Sequence, residues 1–215
     1  MKQSIPCQIS DLGLIDYKTA YDIQKSAVLD VISGSPQKLF FCEHKSILTL
    51  GRLTKKENLL TSESELKSRG VEVVSIDRGG DITLHCPGQL ICYPIFDLDH
   101  YGKDLKAFLS QLEQVVIDLL SEFGIVATRF EGRTGVWVKN KKICSLGIGV
   151  KKWVTFHGVG LNVNSDLCLF QMIRPCGLDV LMTSMAQELG QTVDMADVKI
   201  RISRCFKKQF QLENR

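Results

Sequence analysis

Residues 125–163 read IVATRFEGRTGVWVKNKKICSLGIGVKKWVTFHGVGLNV and contain four short runs rich in β-branched and aromatic residues. Runs of this kind, separated by glycine, asparagine and charged residues, are typical of neighbouring β-strands. The stretch therefore predicts a cluster of strands, several of them joined by tight turns.

Outward from this cluster, further strands alternate with helices. The clearest helix covers 103–123, where apolar residues recur at helical spacing until Gly124 ends the pattern. Because the strands are clustered, the order favours an α+β fold, a mixed β-sheet flanked by helices, over a doubly wound parallel sheet. The other predicted strands lie at 38–44, 46–51, 71–77 and 89–98, and the other predicted helices at 17–33, 61–70, 178–189 and 195–210.

Length and composition limit the class of protein. The chain has 215 residues, 44% of them hydrophobic and 24% charged, which predicts a single globular domain over 1–215. A net charge of +3 is too balanced to indicate a nucleic-acid partner. No apolar run has the roughly 20 residues of a membrane span, and the N-terminus lacks the apolar core of a signal peptide. We therefore expect a cytoplasmic protein with neither nucleic acid nor membrane as a partner.

The eight cysteines are scattered and form no C-x-x-C pair, so the sequence predicts no metal site. In a reducing cytoplasm most of them act as small hydrophobic residues. Cys176 is the best candidate for a nucleophile, because it precedes the helix predicted at 178–189. The unpaired N–H groups and positive dipole of a helix N-terminus lower the pKa of a thiol.

Three further stretches carry residues suited to chemistry. In 77–89 (DRGGDITLHCPGQ) the paired glycines let backbone approach a ligand, and Arg78 and His85 supply donors, although a polar hairpin explains the same residues equally well. In 141–149 Lys142 can point into a cleft, although two lysines at a turn are usually solvated, and Cys144 fits a core position. In 153–164 two glycines make room for a ligand, and His157 fits either the site or the core.

Together these stretches resemble the lipoate-biosynthesis octanoyltransferases. The matching residues are RGGDITLHCPGQ (78–89) with YPIFDL (93–98), GVWV with KICSLGI (135–148), FHGVGLNVNSDL (156–167) and IRPCG (173–177). The resemblance implies the fold of the biotin and lipoate protein ligases around one acyl-binding tunnel. It also implies octanoyl-acyl carrier protein as donor, a lysine of a lipoyl domain of an oxoacid dehydrogenase E2 subunit or of the glycine-cleavage H protein as acceptor, and no cofactor.

The same resemblance assigns the site residues. Cys176 is implied as the nucleophile that holds the acyl group as a thioester, and Lys142 as its catalytic partner. One departure is Cys86, which replaces the first glycine of the family's His-Gly-Pro-Gly-Gln and would be strained if the position needs a positive φ. The implied acyl-binding residues are Arg78, Gly79, Gly80, Asp81, Ile82, Thr83, Leu84, His85, Ser145, Leu146, Gly147, Gly158, Val159 and Gly160.

Three other classes of function stay open on sequence. An ATP-dependent lipoate or biotin protein ligase shares the implied fold, but the chain lacks a Gly/Arg-rich adenylate loop of the biotin-ligase kind. An acyl-binding or carrier-docking module without catalysis would bind a ligand and form no covalent adduct. A Cys–His hydrolase would pair Cys176 with His157 or His85 and would release free fatty acid.

Overall fold

The segment 125–163 folds into four consecutive strands, as its composition predicts. A computed structural model describes residues 4–174 and 180–214 of the chain. Within these ranges the strands are β1 (Ile5–Leu14), β2 (Gln37–Glu43), β3 (Ile47–Leu50), β4 (Glu72–Ser75), β5 (Ile82–His85), β6 (Gln89–Ile95), β7 (Thr128–Phe130), β8 (Arg133–Val138), β9 (Lys141–Lys151), β10 (Val154–Asn162) and β11 (Leu212–Asn214).

The α-helices begin at polar capping residues. Asp16 and Asp104 accept hydrogen bonds from first-turn N–H groups, and Ser62 caps the short helix predicted at 61–70. Four of the five predicted helices are confirmed. The helices in the described residues are α1 (Tyr17–Ile32), α2 (Glu63–Ser68), α3 (Leu105–Glu122), α4 (Met185–Leu189) and α5 (Met195–Phe210).

The strands form two sheets. In the described part of the chain, eight strands have the order β11-β1-β2-β6-β10-β9-β8-β7, and three have the order β4-β3-β5. The pairs β1–β11, β1–β2 and β3–β4 are parallel, and the other pairs are antiparallel. The predicted mixed sheet flanked by helices is confirmed.

Helices cover both faces of the large sheet. On one face α1 packs against β6 and β10, with Val28, Ile95 and Phe156 in the core. On the other face α3 and α5 pack against each other and the sheet, around Phe108 and Phe206. The small sheet has its own core. In the described residues no helix is both long and apolar enough to cross a membrane.

The helix predicted at 178–189 is confirmed only over its second half, Met185–Leu189, and is wrong over 180–184; residues 178 and 179 lie outside the described residues. Helix α4 starts only after Ser184, whose side chain accepts a hydrogen bond from the N–H of Gln187. Residues 180–184 are not helical, and Met182 forms a parallel β-bridge with Lys142. Pairing with the first residues of β9, which lie beyond its pairing with β10, satisfies backbone groups that a helix would otherwise satisfy, and it overrides the local helix propensity. Strands β1, β5 and β11 were not predicted.

Candidate active site

Two neighbouring pockets lie where β5, β9 and β10 meet. The inner slot has Tyr17, Ile91 and Tyr93 among its lining residues and a volume of about 50 Å³. The outer cleft contains Trp137 and Lys142 and has a volume of about 790 Å³. The two pockets share part of their walls; the shared residues are Gly80, Asp81, Leu146 and Gly147.

Most of the residues predicted to bind an acyl group line the inner slot. Gly79 instead lines the outer cleft, and Leu84 lies in the core of the small sheet. Successive residues of a strand face opposite sides, so Thr83 and His85 take the slot side of β5 and Leu84 takes the core side. Ile82, at the start of β5, belongs to the same core as Leu84 and also lines the slot. The predicted residues that line the slot are Arg78, Gly80, Asp81, Ile82, Thr83, His85, Ser145, Leu146, Gly147, Gly158, Val159 and Gly160.

Paired glycines let other parts of the chain pack closely against the sheet beside the slot. Gly147 of β9 lies opposite Gly158 of β10, and Ser145 lies opposite Gly160. A Cβ on Gly147 would come within 3.3 Å of the Arg78 side chain, and one on Gly158, where φ is +155°, would collide with the carbonyl oxygen of Cys92. Close contacts with the surrounding chain therefore require glycine at both positions.

Arg78 fixes the wall of the slot. Its guanidinium donates to the carbonyl oxygen of Thr49 at 2.9 Å, to the hydroxyl of Thr49 at 3.0 Å and to the carbonyl oxygen of Gly79 at 3.0 Å. Arg78 is buried, and these bonds tie the 78–81 loop to β3. The planar, multiply donating guanidinium suits this bridging role.

His85 is a neutral imidazole at the slot. Its Nδ1 lies 2.7 Å from Oε1 of Gln89, which can only accept, so Nδ1 carries the proton. Its ring stacks on Tyr17. Burial, aided by the neighbouring His44, lowers the pKa of His85 to about 3. The ring is therefore uncharged at neutral pH.

His157 also lines the slot, in a backbone conformation that non-glycine residues rarely adopt. Its φ is +59°, its N–H donates to Gln24 at 2.7 Å, and its Nε2 lies 3.3 Å from Oδ1 of Asp77. The hydroxyl of Tyr21 donates to the same oxygen at 2.8 Å. Burial lowers the pKa of His157 to about 4, against the opposing effect of Asp77. Backbone strain of this kind clusters at functional sites.

Lys142 lies on the wall of the outer cleft with only 3% of its surface exposed. The register of β8 and β9 shifts by one between Val136 and Trp137, and such a bulge redirects side chains. The ammonium lies 5.5 Å from the centre of the Trp137 ring, a cation–π contact. The backbone of Lys142 is held on its open side by a bond to Leu181 O at 2.8 Å and one from Thr183 N at 2.9 Å.

Cys176 lies outside the described residues. The helix N-terminus that was predicted to lower the pKa of its thiol is not supported, because α4 begins after Ser184. Of the seven described cysteines, six have a thiol pKa raised by burial, and the seventh, Cys168, is exposed. Raised pKa values make those six weak nucleophiles. Cys144 is a core residue, as expected.

Cys86 is accommodated without strain. It is not among the residues with positive φ, and Gly88 supplies the left-handed position of this turn with φ +80°. Its side chain is buried in the core of the small sheet, and burial raises the pKa of its thiol to about 11. Cys86 therefore belongs to the core and does not line the pocket.

The sequence did not single out Tyr17, Tyr93, Trp137 or Glu113 as site residues. Tyr17 falls in the helix predicted at 17–33, and Tyr93 and Trp137 belong to matching motifs without an assigned role. For Glu113 the sequence offers one indication of a special role, because this carboxylate lies inside the apolar stripe of the helix predicted at 103–123. Among the described residues no group of three or more His, Cys, Asp or Glu side chains is arranged to hold a metal ion.

Comparison with known proteins places this chain in a family. The family model for the lipoyl protein ligase A/B catalytic domain matches residues 16–207. An octanoyltransferase of Bacteroides fragilis (strain YCH46) is 47% identical over 91% of this chain and 94% of that protein. An octanoyltransferase of Porphyromonas gingivalis is 43% identical over 93% of this chain, which spans 43% of that protein's length.

Solved structures share the fold. A lipoate-protein ligase A bound with ATP superimposes with a TM-score of 0.81 at 15% identity, covering 98% of this chain and 88% of that one. The biotin protein ligase of Aquifex aeolicus in complex with biotin and ATP gives a TM-score of 0.55 at 14% identity, over 98% of this chain and 71% of that one. At these identities the likeness concerns the fold alone.

The chain belongs to the lipoyl protein ligase A/B catalytic domain family. Within that family its similarity is to the octanoyltransferases. It is accordingly an enzyme of the acyltransferase class.

Proposed function

We propose that this enzyme transfers an octanoyl group from the thioester of acyl carrier protein to a lysine of a lipoyl domain in the cytoplasm. The group passes through a thioester on Cys176. The acceptor is a lipoyl domain of an oxoacid dehydrogenase E2 subunit or of the glycine-cleavage H protein. This transfer is the first step of endogenous protein lipoylation, and it requires no cofactor.

The observation that carries the proposal is the position of Lys142. Its amine is buried beside a wide cleft that shares part of its wall with a narrow slot. The slot suits an unbranched acyl chain, and the wide cleft suits the arm that carries it or the lysine that receives it. Lysine is a solvated surface residue in most proteins, so a buried lysine at such a junction favours a chemical role.

In the first half-reaction the Cys176 thiolate, stabilised by the Lys142 ammonium, attacks the carbonyl carbon of the carrier's thioester. The new C–S bond forms and the C–S bond to the carrier breaks. The departing sulfur takes a proton from Lys142, which becomes a neutral amine. The products are octanoyl-Cys176 and the free thiol of the carrier.

In the second half-reaction the neutral amine of the acceptor lysine attacks the thioester on Cys176. An amide bond forms and the C–S bond to Cys176 breaks, which regenerates the thiolate. The surplus proton of the attacking amine returns to Lys142, so the enzyme ends in its starting protonation state. A thioester is already activated, so the proposal needs no ATP.

The inner slot measures the length of the acyl chain. Each methylene that leaves water contributes about 0.8 kcal/mol, so a slot of fixed length discriminates between chains. Tyr17, Ile91 and Tyr93 are among the side chains that line the slot. His85 and His157 stay uncharged at neutral pH and do not repel an apolar chain.

Transfer to a lipoyl domain without ATP tests the proposal. We expect acylation of the acceptor from octanoyl-carrier protein, with no effect of ATP and no use of free octanoate. Replacing Cys176→Ser and Lys142→Met should each abolish it. Acylation that requires ATP and free octanoate would instead indicate a ligase, and release of free octanoate without an acylated acceptor would indicate a hydrolase.

A further inference from the structure

A carboxylate is buried in the core beneath the proposed site. Glu113 lies in the apolar stripe of α3, next to Leu112 and one helical turn before Val116, and only 7% of its surface is exposed. An isolated carboxylate in such a place is costly unless it is paired and hydrogen-bonded. Its partners therefore indicate what this residue does.

Each oxygen of Glu113 has a partner. Oε1 accepts a hydrogen bond from the backbone N–H of Gly135 at 2.9 Å, and Oε2 accepts one from Nε of Arg129 at 3.1 Å. The Arg129 side chain reaches solvent, whereas the Gly135 bond is buried. The inner bond links α3 to β8, the strand that borders Lys142.

The Lys142 side chain packs directly against the backbone of Gly135. A Cβ on Gly135 would lie 2.5 Å from Cε and 3.1 Å from Nζ of Lys142. The backbone at Gly135 has a φ of +137°, and the register between β8 and β9 shifts immediately after it. The position of the Lys142 ammonium thus depends on an irregular piece of backbone that needs an anchor.

We infer that Glu113 is a positioning residue: its carboxylate anchors the N–H of Gly135 and thereby holds the bulged β8–β9 pair that seats Lys142. The consequence for catalysis rests on the proposed function, in which Lys142 moves the proton. The position of the Lys142 side chain against Gly135 does not rest on the proposed function. Without an acceptor, the Gly135 N–H would be buried and unsatisfied, and the backbone would shift to find one.

Two substitutions separate the hydrogen bond from the charge. Glu113→Gln keeps an oxygen acceptor of the same shape for the Gly135 N–H and removes the charge. Glu113→Leu removes the acceptor but fits the apolar stripe, and Arg129 is not left as a buried lone charge, because its side chain is 37% exposed and still donates to Ser110 O and to Gln114. Arg129→Ala is the matched control, because it removes the other partner and leaves the Gly135 bond.

The direct readout is the NMR signal of the Lys142 side chain in lysine-labelled protein, assigned with Lys142→Arg. The Trp137 ring, 5.5 Å from the ammonium, gives this signal a ring-current shift. We expect Glu113→Leu to move it towards the shifts of exposed lysines, and Glu113→Gln and Arg129→Ala to retain it. Gly135→Ala, which displaces Lys142 by direct contact, should reproduce the change if Glu113→Leu does not fold.

The kinetic readout is turnover of the acyl donor. Misplacing a catalytic group by about 1 Å costs up to about 100-fold, so we expect Glu113→Leu to lower kcat between about 10- and 100-fold, with KM for the donor little changed. Glu113→Gln should restore most of the rate. An unmoved Lys142 signal in Glu113→Leu, or equal losses in the Leu and Gln variants, would overturn the inference. The NMR result does not depend on turnover, so it separates failure of this inference from failure of the proposed function.

Discussion

The Lys142 side chain occupies the space that a side chain on Gly135 would need. A Cβ at 135 would also lie 2.9 Å from the carbonyl oxygen of Cys144, so the position is closed on two sides. Glycine at 135 and lysine at 142 therefore depend on each other. Lys142 lines the outer cleft, where the acyl group is proposed to change carriers.

Gly135→Ala should lower the rate of transfer by about 100-fold or more, because the new methyl group displaces the Lys142 ammonium from its position. Steady-state turnover of octanoyl-carrier protein measures this. Gly124→Ala is the control: Gly124 also has a positive φ, +75°, but has no atom within 4 Å of its added Cβ. That variant should lose about 1–3 kcal/mol of stability through strain and keep its activity. Equal activity losses would contradict the account of Gly135.

Ile91→Ala should change the preference for chain length. Ile91 lines the slot and lies opposite Gly160, so truncating it lengthens or widens the space for the acyl chain. Each additional methylene accommodated is worth about 0.8 kcal/mol, or about fourfold in kcat/KM relative to octanoyl. Competition between octanoyl, decanoyl and dodecanoyl donors measures the shift.

Ile95→Ala is the control for this prediction. Ile95 is on the same strand and buried, but it lies away from the slot, so the substitution should destabilise the protein without changing the preference for chain length. An unchanged preference in Ile91→Ala would show that the chain lies elsewhere.

Asn162→Leu should lower both stability and activity. Its side chain accepts from Gln89 at 2.9 Å and donates to the carbonyl oxygen of Thr183 at 3.0 Å, and Thr183 in turn holds the backbone of Lys142. Asn162→Leu leaves the amide N–H of Gln89 and the carbonyl oxygen of Thr183 without these partners, at a cost of about 1–3 kcal/mol each in the free energy of unfolding. Urea unfolding measures this loss. Asn164→Leu is the comparison, since Asn164 makes two similar bonds to the backbone of Val193 outside the pockets. Retained activity in Asn162→Leu would show that this link does not support the site.

His157 should make the protein less stable in mild acid. Its pKa is about 4 in the folded chain and about 6.5 in an unfolded one. Between these values the unfolded state binds a proton that the folded state does not. The free energy of unfolding therefore falls as pH falls, by up to about 1.4 kcal/mol per pH unit for this residue, and the effect vanishes above pH of about 6.5.

His157→Asn should flatten this dependence by about one proton, since asparagine tolerates the positive φ at 157 and does not titrate. Urea unfolding of both proteins at several pH values between about 4 and 7 measures the two slopes. Parallel slopes would mean that His157 does not titrate differently on folding.

The sequence predicted the elements whose pattern is local. Helix α3 carries its apolar residues at helical spacing and ends before a glycine, and its packing follows that stripe. Residues 180–184 could not be predicted, because their conformation depends on pairing with Lys142, about 40 residues earlier. Strand β1 lies between β11 and β2 and pairs in parallel with both. It could not be predicted, because buried and exposed residues do not alternate cleanly along it.

The same limit applies to the site. Motif residues such as His85 and Gly147 were predicted to share one pocket, and they line the same slot. Glu113 acts through Gly135, and only the packing of α3 on β8 brings them together. Whether Cys86 would be strained depended on the conformation of the local turn. In that turn Gly88, not Cys86, takes the positive φ.

The most direct test of the central claim is intact-protein mass spectrometry after mixing the enzyme with octanoyl-carrier protein and no ATP. The account predicts an octanoyl adduct that hydroxylamine removes, that maps to Cys176, and that disappears when an apo lipoyl domain is added. Cys176→Ser should form none. Absence of an adduct, or an adduct that maps to another cysteine such as the exposed Cys168, would contradict the acyl-enzyme route.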